Sequence, residues 1–214
     1  MLRDRNEAGE RLALRLDGYR TERPIVLALP RGGVPVGAPI ARRLAAPLDV
    51  IVARKVGAPG NPEYGLGAVV EDGSVLLDES RVRAAGYRPE DLAVVVARER
   101  GEAAERAERY RAGRPLPDLS DRTVILVDDG IATGVTVRAA LRAVRPRGPR
   151  RVVVAAGVAP LDTVRELERE ADRVLVLERP AMFFAVGEFY RQFEPVSDSE
   201  VIRLLADGNV PAAS

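Results

Sequence analysis

Short apolar runs and amphipathic stretches alternate along this chain. Leu12, Leu14 and Leu16 fall among charged residues over 5–19, which predicts an amphipathic helix. Ile25 to Leu29 is an unbroken apolar run that stops at Pro30-Arg31-Gly32-Gly33, as a buried strand entering a tight loop would. Val34 to Leu44 reads as a helix, and Leu48 to Ala53 as the next strand, ending at Arg54-Lys55. The stretch Gly57-Ala58-Pro59-Gly60-Asn61-Pro62 is too rich in Gly and Pro for regular structure and is expected to be a loop. Leu66–Glu71 and Ser74–Leu77 flank Asp72-Gly73, a strong hairpin signal.

Residues 78–86 and 89–112 then read as helices, the second with Glu102/Arg106 and Glu105/Arg109 pairs on a solvated face. Strands are predicted at Val124–Val127, Val152–Val158 and Val174–Leu177, with helices at Val135–Val144 and Leu161–Glu170 between them. This alternation predicts an α/β fold with a doubly wound, mostly parallel central sheet. Residues 1–214 show no repeat and no linker, so a single domain is expected. Five of the nine Phe and Tyr residues gather at Phe183, Phe184, Phe189, Tyr190 and Phe193, as a carboxy-terminal cap on the sheet or a lid over a planar ligand. Ser197 or Asp198 would cap a last helix.

Composition removes several kinds of chemistry. There is no cysteine and no histidine, so thiolate nucleophiles, zinc–cysteine sites and imidazole bases are absent. Acid–base work falls to Asp, Glu, Lys or Tyr, and oxygen ligands point to Mg2+ as the metal, if one is used. No apolar run approaches the length of a membrane span, and the charged start Met1-Leu2-Arg3-Asp4-Arg5 does not read as a signal peptide, so a cytoplasmic protein without a membrane partner is expected. With 33 basic and 32 acidic side chains, the net charge of +1 gives no reason to expect nucleic-acid binding. All basic residues but Lys55 are arginine. A position that keeps lysine suggests a need for a compact ammonium in place of a planar fork.

The candidate ligand loop is Val124-Ile-Leu-Val-Asp128-Asp129-Gly130-Ile131-Ala132-Thr133-Gly134-Val135-Thr136. Two carboxylates stand at the carboxyl end of a strand, where open α/β sheets bind their ligands. Gly130 and Gly134 allow close backbone approach, Thr133 and Thr136 offer hydroxyls, and the next helix aims free N–H groups at the same place. A phosphate there would gain those hydrogen bonds plus roughly 0.3–2 kcal/mol from the helix dipole. The carboxylates suit sugar hydroxyls or Mg2+ held through water. A plain helix-capping turn does not explain two successive acids. A receiver-type acidic pocket would need a later strand-end Asp that is missing, and an ATP-type phosphate loop would need Gly-Lys-Ser/Thr.

The segment Asp128–Thr136 resembles the hallmark of the type I phosphoribosyltransferases: a hydrophobic strand, two acids, then a small-residue loop with Thr-Gly-x-Thr. By that resemblance Asp128 and Asp129 would bind the ribose hydroxyls of 5-phosphoribosyl 1-pyrophosphate, and Ala132, Thr133, Gly134, Val135 and Thr136 its 5-phosphate. Leu29-Pro-Arg31-Gly32-Gly33-Val34 looks like the family's pyrophosphate loop, with Pro30–Arg31 expected as a cis peptide. Arg54-Lys55-Val56-Gly57 resembles the start of a mobile catalytic loop, here 55–67, that would close down to Asn61-Pro62-Glu63-Tyr64 and exclude water. Residues 180–210 would form an acceptor-binding hood in which Phe183 and Phe184 stack on the base. Leu29–Gly37, Arg54–Ala68, Val127–Thr136 and Ala185–Tyr190 are also similar to a bacterial and archaeal group of predicted phosphoribosyltransferases without a settled substrate.

The resemblance implies displacement of pyrophosphate by a nucleophilic nitrogen through a sugar-cation-like transition state. Mg2+, Arg31, Arg54 and Lys55 would stabilise the departing group. The expected partners are phosphoribosyl pyrophosphate and a small heterocyclic acceptor, with a homodimer as the candidate assembly. One departure stands out: many purine-type members carry a base-assisting Asp in the loop, and this chain has Ala132. Glu63 is the substitute that the sequence offers. The alternative function is a non-catalytic regulatory protein of the same fold that binds the same ligand or a nucleotide.

Overall fold

The computed structural model describes residues 1–208. Its central sheet has five parallel strands in the order β2-β1-β6-β7-β8. These are β1 (Ile25–Ala28), β2 (Leu48–Val50), β6 (Thr123–Gly130), β7 (Arg151–Val158) and β8 (Arg173–Glu178). The strand order reverses between β1 and β6, which makes the sheet doubly wound and opens a crevice at their carboxyl ends. Helices cover both faces: α1 (Arg5–Leu16), α2 (Gly33–Leu44) and α7 (Asp198–Gly208) on one, α5 (Val135–Val144) and α6 (Leu161–Leu167) on the other. Every residue of β1 and five in succession on β6 are buried, as expected for parallel strands sandwiched between helices.

An insert between β2 and β6 holds a second, antiparallel sheet of β3 (Ala53–Ala58), β4 (Asn61–Val70) and β5 (Val75–Leu77). It is followed by α3 (Glu79–Ala84) and the 19-residue α4 (Ala93–Arg111). The Asp72-Gly73 turn joins β4 to β5 as expected, with Gly73 at φ 86° and Val70 N–H donating to Ser74 O.

Two expectations fail here. The strand predicted over Leu48–Ala53 breaks at Val50, and Ala53 opens β3 in the other sheet. Gly57–Pro62, expected to be a loop, lies mostly within β3 and β4, with only Pro59 and Gly60 left to turn. The reason is local. Register shifts on both sides of Gly57 take up the Pro62 kink, and the strands approach so closely that a side chain on Gly57 would collide with the Pro62 backbone. Residues that look like loop formers are thus what this bulged hairpin needs.

The last strand joins to a hood in which a short 3-10 turn, Val186–Phe189, leads to α7. Leu2 pairs with this segment, its N–H donating to Phe189 O and its carbonyl accepting from Arg191 N–H. The first residues of the chain therefore meet the hood beside the carboxyl end of β6, where Tyr190 reaches Asp129 O. Ser197 caps α7, its hydroxyl accepting from Glu200 N–H at 3.1 Å. Residues 209 and 210 of the expected hood lie outside the described residues. Among the described residues no helix is long and apolar enough to cross a membrane.

Candidate active site

The crevice between β1 and β6 brings together two of the three segments singled out in the sequence. Leu29 to Gly32 leaves β1 and enters α2, and the Pro30–Arg31 peptide is cis as expected. Gly33 N–H closes the turn on Leu29 O at 3.0 Å. Beside it, Asp128 and Asp129 are the last acidic positions of β6, within the strand. Gly32 lies against the Asp129 carboxylate so closely that any side chain at Gly32 would collide with it. The pairing of a cis, glycine-bearing turn with a doubly acidic strand end sits at the crevice where open sheets bind ligands.

The turn after β6 is open at its tip. Ala132 and Thr133 are exposed, and Gly134, at φ 72°, sets the left-handed bend that starts α5. Free N–H groups at the α5 start thus face the same opening as the Thr133 and Thr136 positions. Thr163 braces the loop from α6, its hydroxyl donating to Ala132 O at 2.7 Å. Gly130 also has a packing role. The room that its missing side chain leaves is filled by Val186 of the hood and Val158 of β7.

The two carboxylates differ. Burial first, then the charge of Asp129, pushes the Asp128 carboxyl well above its ordinary range. Asp129 is held by Arg5, whose Nε donates to Oδ2 at 2.7 Å. Tyr190 donates its hydroxyl to Asp129 O at 2.6 Å, and burial raises its own pKa far above the usual tyrosine value. Neither Arg5 nor the Tyr190 anchor is visible in the sequence, because both act across more than 60 residues. Two adjacent carboxylates suit a Mg2+ that keeps most of its shell as water and ligand oxygens. Among the described residues no cluster of three acidic side chains forms a self-sufficient metal cage.

Arg31 is exposed and reaches Asp198 at the start of α7, 3.7 Å away. Asp198 also accepts from Tyr110 Oη at 2.7 Å and from Arg109 at 2.9 Å. The Tyr110 bond is the main reason that its carboxyl lies below the ordinary range. Tyr110 in turn is pushed up to about 12 by burial and by Asp198.

The third segment stands apart. Arg54 is bound to Glu99 at 2.6 Å and Glu102 at 2.8 Å on α4. Burial acts to raise the Glu99 carboxyl, and hydrogen bonds from Arg98 and Arg54 outweigh it and hold the group below its ordinary value. Lys55 pairs across the hairpin with Glu63 at 3.1 Å. Both cations that this segment is expected to place on a pyrophosphate are thus paired with acids. A cleft of about 300 Å³ between hairpin and α4 is lined by Arg54, Lys55, Glu63, Arg98 and Glu99. In the hood, Phe183 stacks on Phe189 at 5.6 Å, whereas Phe184 stands 80% exposed. Of the two rings expected to meet an acceptor, only Phe184 is free.

A model of the phosphoribosyl transferase domain matches residues 3–194, from the start of the chain through the hood's aromatic cluster. The chain belongs to the phosphoribosyl transferase domain family. It is similar to a protein of Mycobacterium tuberculosis provisionally named a phosphoribosyl transferase, with 44% identity over 202 residues. That match covers 94% of this chain and 46% of the relative, so the chain spans about half the length of the curated relatives it matches. Among solved structures, the protein TT1426 of Thermus thermophilus shares 47% identity with a TM-score of 0.80, over 96% of this chain and 98% of that one. A purine phosphoribosyltransferase of Pyrococcus horikoshii, at 17% identity and TM-score 0.50, covers 90% of this chain and 92% of its own and shares the fold.

Proposed function

We propose that this phosphoribosyltransferase-family chain binds 5-phosphoribosyl 1-pyrophosphate with Mg2+ and transfers the phosphoribosyl group to a nitrogen heterocycle, releasing pyrophosphate. The observation that carries this reading is the juxtaposition of the Arg31-Gly32-Gly33 turn with Asp128 and Asp129 at the β1/β6 crevice. The 5-phosphate is assigned to the Ala132–Thr136 turn, which offers N–H groups and hydroxyls. The pyrophosphate is assigned to Arg31, Gly32 and Gly33, and the ribose hydroxyls to the acidic end of β6. Mg2+, when bound, supplies charge neutralisation for the leaving pyrophosphate.

The chain's own residues then do the positioning. Arg31 lies where a guanidinium adds charge beside a leaving group, and the Thr163 bridge holds the phosphate turn in shape. Lys55 is assigned to the departing pyrophosphate once it leaves Glu63. Phe184 is the ring assigned to the flat acceptor, in keeping with its exposure at the hood. With Ala132 in the turn, no carboxylate of that loop serves as base.

A regulatory, non-catalytic role for the same site is the second reading. It draws on the pairing of Arg54 and Lys55 with Glu99, Glu102 and Glu63. Calorimetric titration of phosphoribosyl pyrophosphate with Mg2+, on wild type and on Asp128→Asn/Asp129→Asn, tests the site. Micromolar binding that the double variant loses is the expected result. A wild type that does not bind removes the reading, and binding without pyrophosphate release across a panel of heterocycles selects the regulatory one.

A further inference from the structure

Arg5 belongs to none of the candidate ligand segments, yet its side chain is built into the acidic end of β6. It stands in the first turn of α1, which Asp4 caps by accepting from Glu7 N–H at 2.8 Å. From there its guanidinium is enclosed on three sides. Nε donates to Asp129 Oδ2 at 2.7 Å, Nη1 donates to Glu194 O at 2.9 Å, and the group lies 3.8 Å from the centre of the Phe193 ring. The side chains of Arg5 and Asp129 are only 12% and 13% exposed. A surface ion pair of two long side chains contributes little, but this one is desolvated, directional and stacked on a ring.

Its partner's position gives the contact its meaning. The Asp129 carboxylate touches Gly32 of the cis turn, and the Asp129 carbonyl is fixed by Tyr190. Asp129 thus links β6, the turn before α2 and the hood, and Arg5 is the cation that holds it there. Without Arg5, the largely buried Asp129 carboxylate beside Asp128 would lose its counter-charge and would swing away from the ribose position.

On the phosphoribosyl pyrophosphate reading, we infer that Arg5 is a positioning residue: it orients the acidic end of β6 towards the ribose hydroxyls while leaving the pyrophosphate turn to Arg31 and the glycines. Arg5 acts through Asp129 and does not touch the ligand. The contribution it makes is therefore confined to ligands that carry a ribose.

The test is a comparison of two probes, phosphoribosyl pyrophosphate and inorganic pyrophosphate, each titrated with Mg2+ into wild type, Arg5→Gln, Arg5→Lys, Phe193→Leu, Asp129→Asn and the double variant Arg5→Gln/Asp129→Asn. Thermal melts of each variant identify the folded ones. Arg5→Gln is expected to weaken the ribosyl ligand by about tenfold, the scale of one lost charge-assisted hydrogen bond, and to leave pyrophosphate within about twofold. Arg5→Lys should recover part of the loss, and Phe193→Leu should show a smaller loss of the same kind. In the Asp129→Asn background the Arg5→Gln effect should vanish. Equal weakening of both probes, additive effects in the double variant, or no change overturns the inference while the functional reading stands. If Arg5→Gln does not fold, Phe193→Leu decides by the same two-probe ratio. Wild type that binds neither probe takes down the functional reading and this inference with it.

Discussion

The turn after β6 and the β3–β4 hairpin both carry residues expected to meet a charged ligand, and they are held in place by different means. Val124 to Val127 are buried between two layers of helices and register with both β1 and β7, so Asp128 and Asp129 emerge from the middle of the central sheet. The hairpin belongs to a separate three-stranded sheet, and Ala58 and Leu66 from it join a small cluster with Val82 and Leu92. Its tip is tied by one hydrogen bond from Tyr87 to Pro59 O, and its cations by acids of α4 and of the hairpin itself. The first region is shaped by the core before any ligand arrives. The second keeps its charges satisfied internally, and a ligand would have to exchange them. This is the division between a preorganised binding platform and a segment that completes a site on closure.

The contrast can be broken hardest at Arg111. This guanidinium ends α4 and is almost fully buried, paired with Asp49 of β2 at 2.9 Å and with Glu71, just after β4, at 2.6 Å. It ties the insert to the edge of the central sheet. Arg111→Ala leaves two buried carboxylates without their cation and should cost about 3–5 kcal/mol. A melt should then fall by on the order of 10 °C for a chain of this size. Hydrogen exchange should speed up across β3 and β4 and stay slow in β6; equal loosening of both regions would mean that they are one unit. The pH dependence has a definite sign. Burial already raises Glu71 above its ordinary 4.5, with Arg111 opposing the shift. A carboxyl raised by folding binds its proton more tightly in the folded state, so its contribution to stability falls as pH rises from about that ordinary value through the raised one. Removing Arg111 widens this window, so the variant's deficit should shrink on acidification towards the lower end.

How much of this was legible depends on the range over which each feature is encoded. The strand–turn–helix unit around Asp128 is local: four apolar residues, two acids, a glycine that takes positive φ and a helix that follows at Val135. Periodicity and turn chemistry suffice to read it, and α5 begins and ends where the pattern places it. The hairpin misled because Gly57, Pro59, Gly60 and Pro62 are loop formers taken singly. Their roles as a close-contact residue, a turn pair and a kink exist only once β3 faces β4. Arg5, Tyr190 and Asp198 were illegible for a related reason. Tyr190 stands out as part of the aromatic concentration and Asp198 as a candidate helix cap, but each of the three meets its partner across a gap of more than 60 residues, and no local pattern names that partner. The hood lay between these cases: its aromatic concentration was plain, but only the packing separates stacked Phe183 from free Phe184.

A smaller perturbation tests the rigidity of the platform. Gly32→Ala places a methyl group against the Asp129 carboxylate, and either the cis turn or the acid must shift. Overpacking of this kind costs about 1–3 kcal/mol, less than the loss of Arg111. Binding should suffer more than stability, because the same shift disturbs the pyrophosphate turn and the acidic strand end together. A variant that melts a few degrees lower but binds phosphoribosyl pyrophosphate as wild type would show that the turn adapts, and the platform would not be preorganised.

The smallest stability effects belong to the hairpin's own ion pair, and there activity is the sharper probe. Glu63 is 92% exposed and Lys55 is partly so, and a pair this open contributes at most about 1 kcal/mol. Glu63→Gln and Lys55→Ala should therefore melt close to wild type. Their kinetics should diverge. Lys55→Ala removes the ammonium assigned to the departing pyrophosphate and should lower kcat more than it raises KM, because that charge matters most as the bond breaks. Glu63→Gln releases Lys55 from its partner and should leave kcat unchanged or raise it slightly. If Glu63→Gln instead abolishes turnover while substrate still binds, the glutamate itself is the base that this chain lacks at Ala132. The hairpin would then contribute a reacting group to the site, and its pairing with Lys55 would be the resting state of that base rather than a lock on the cation.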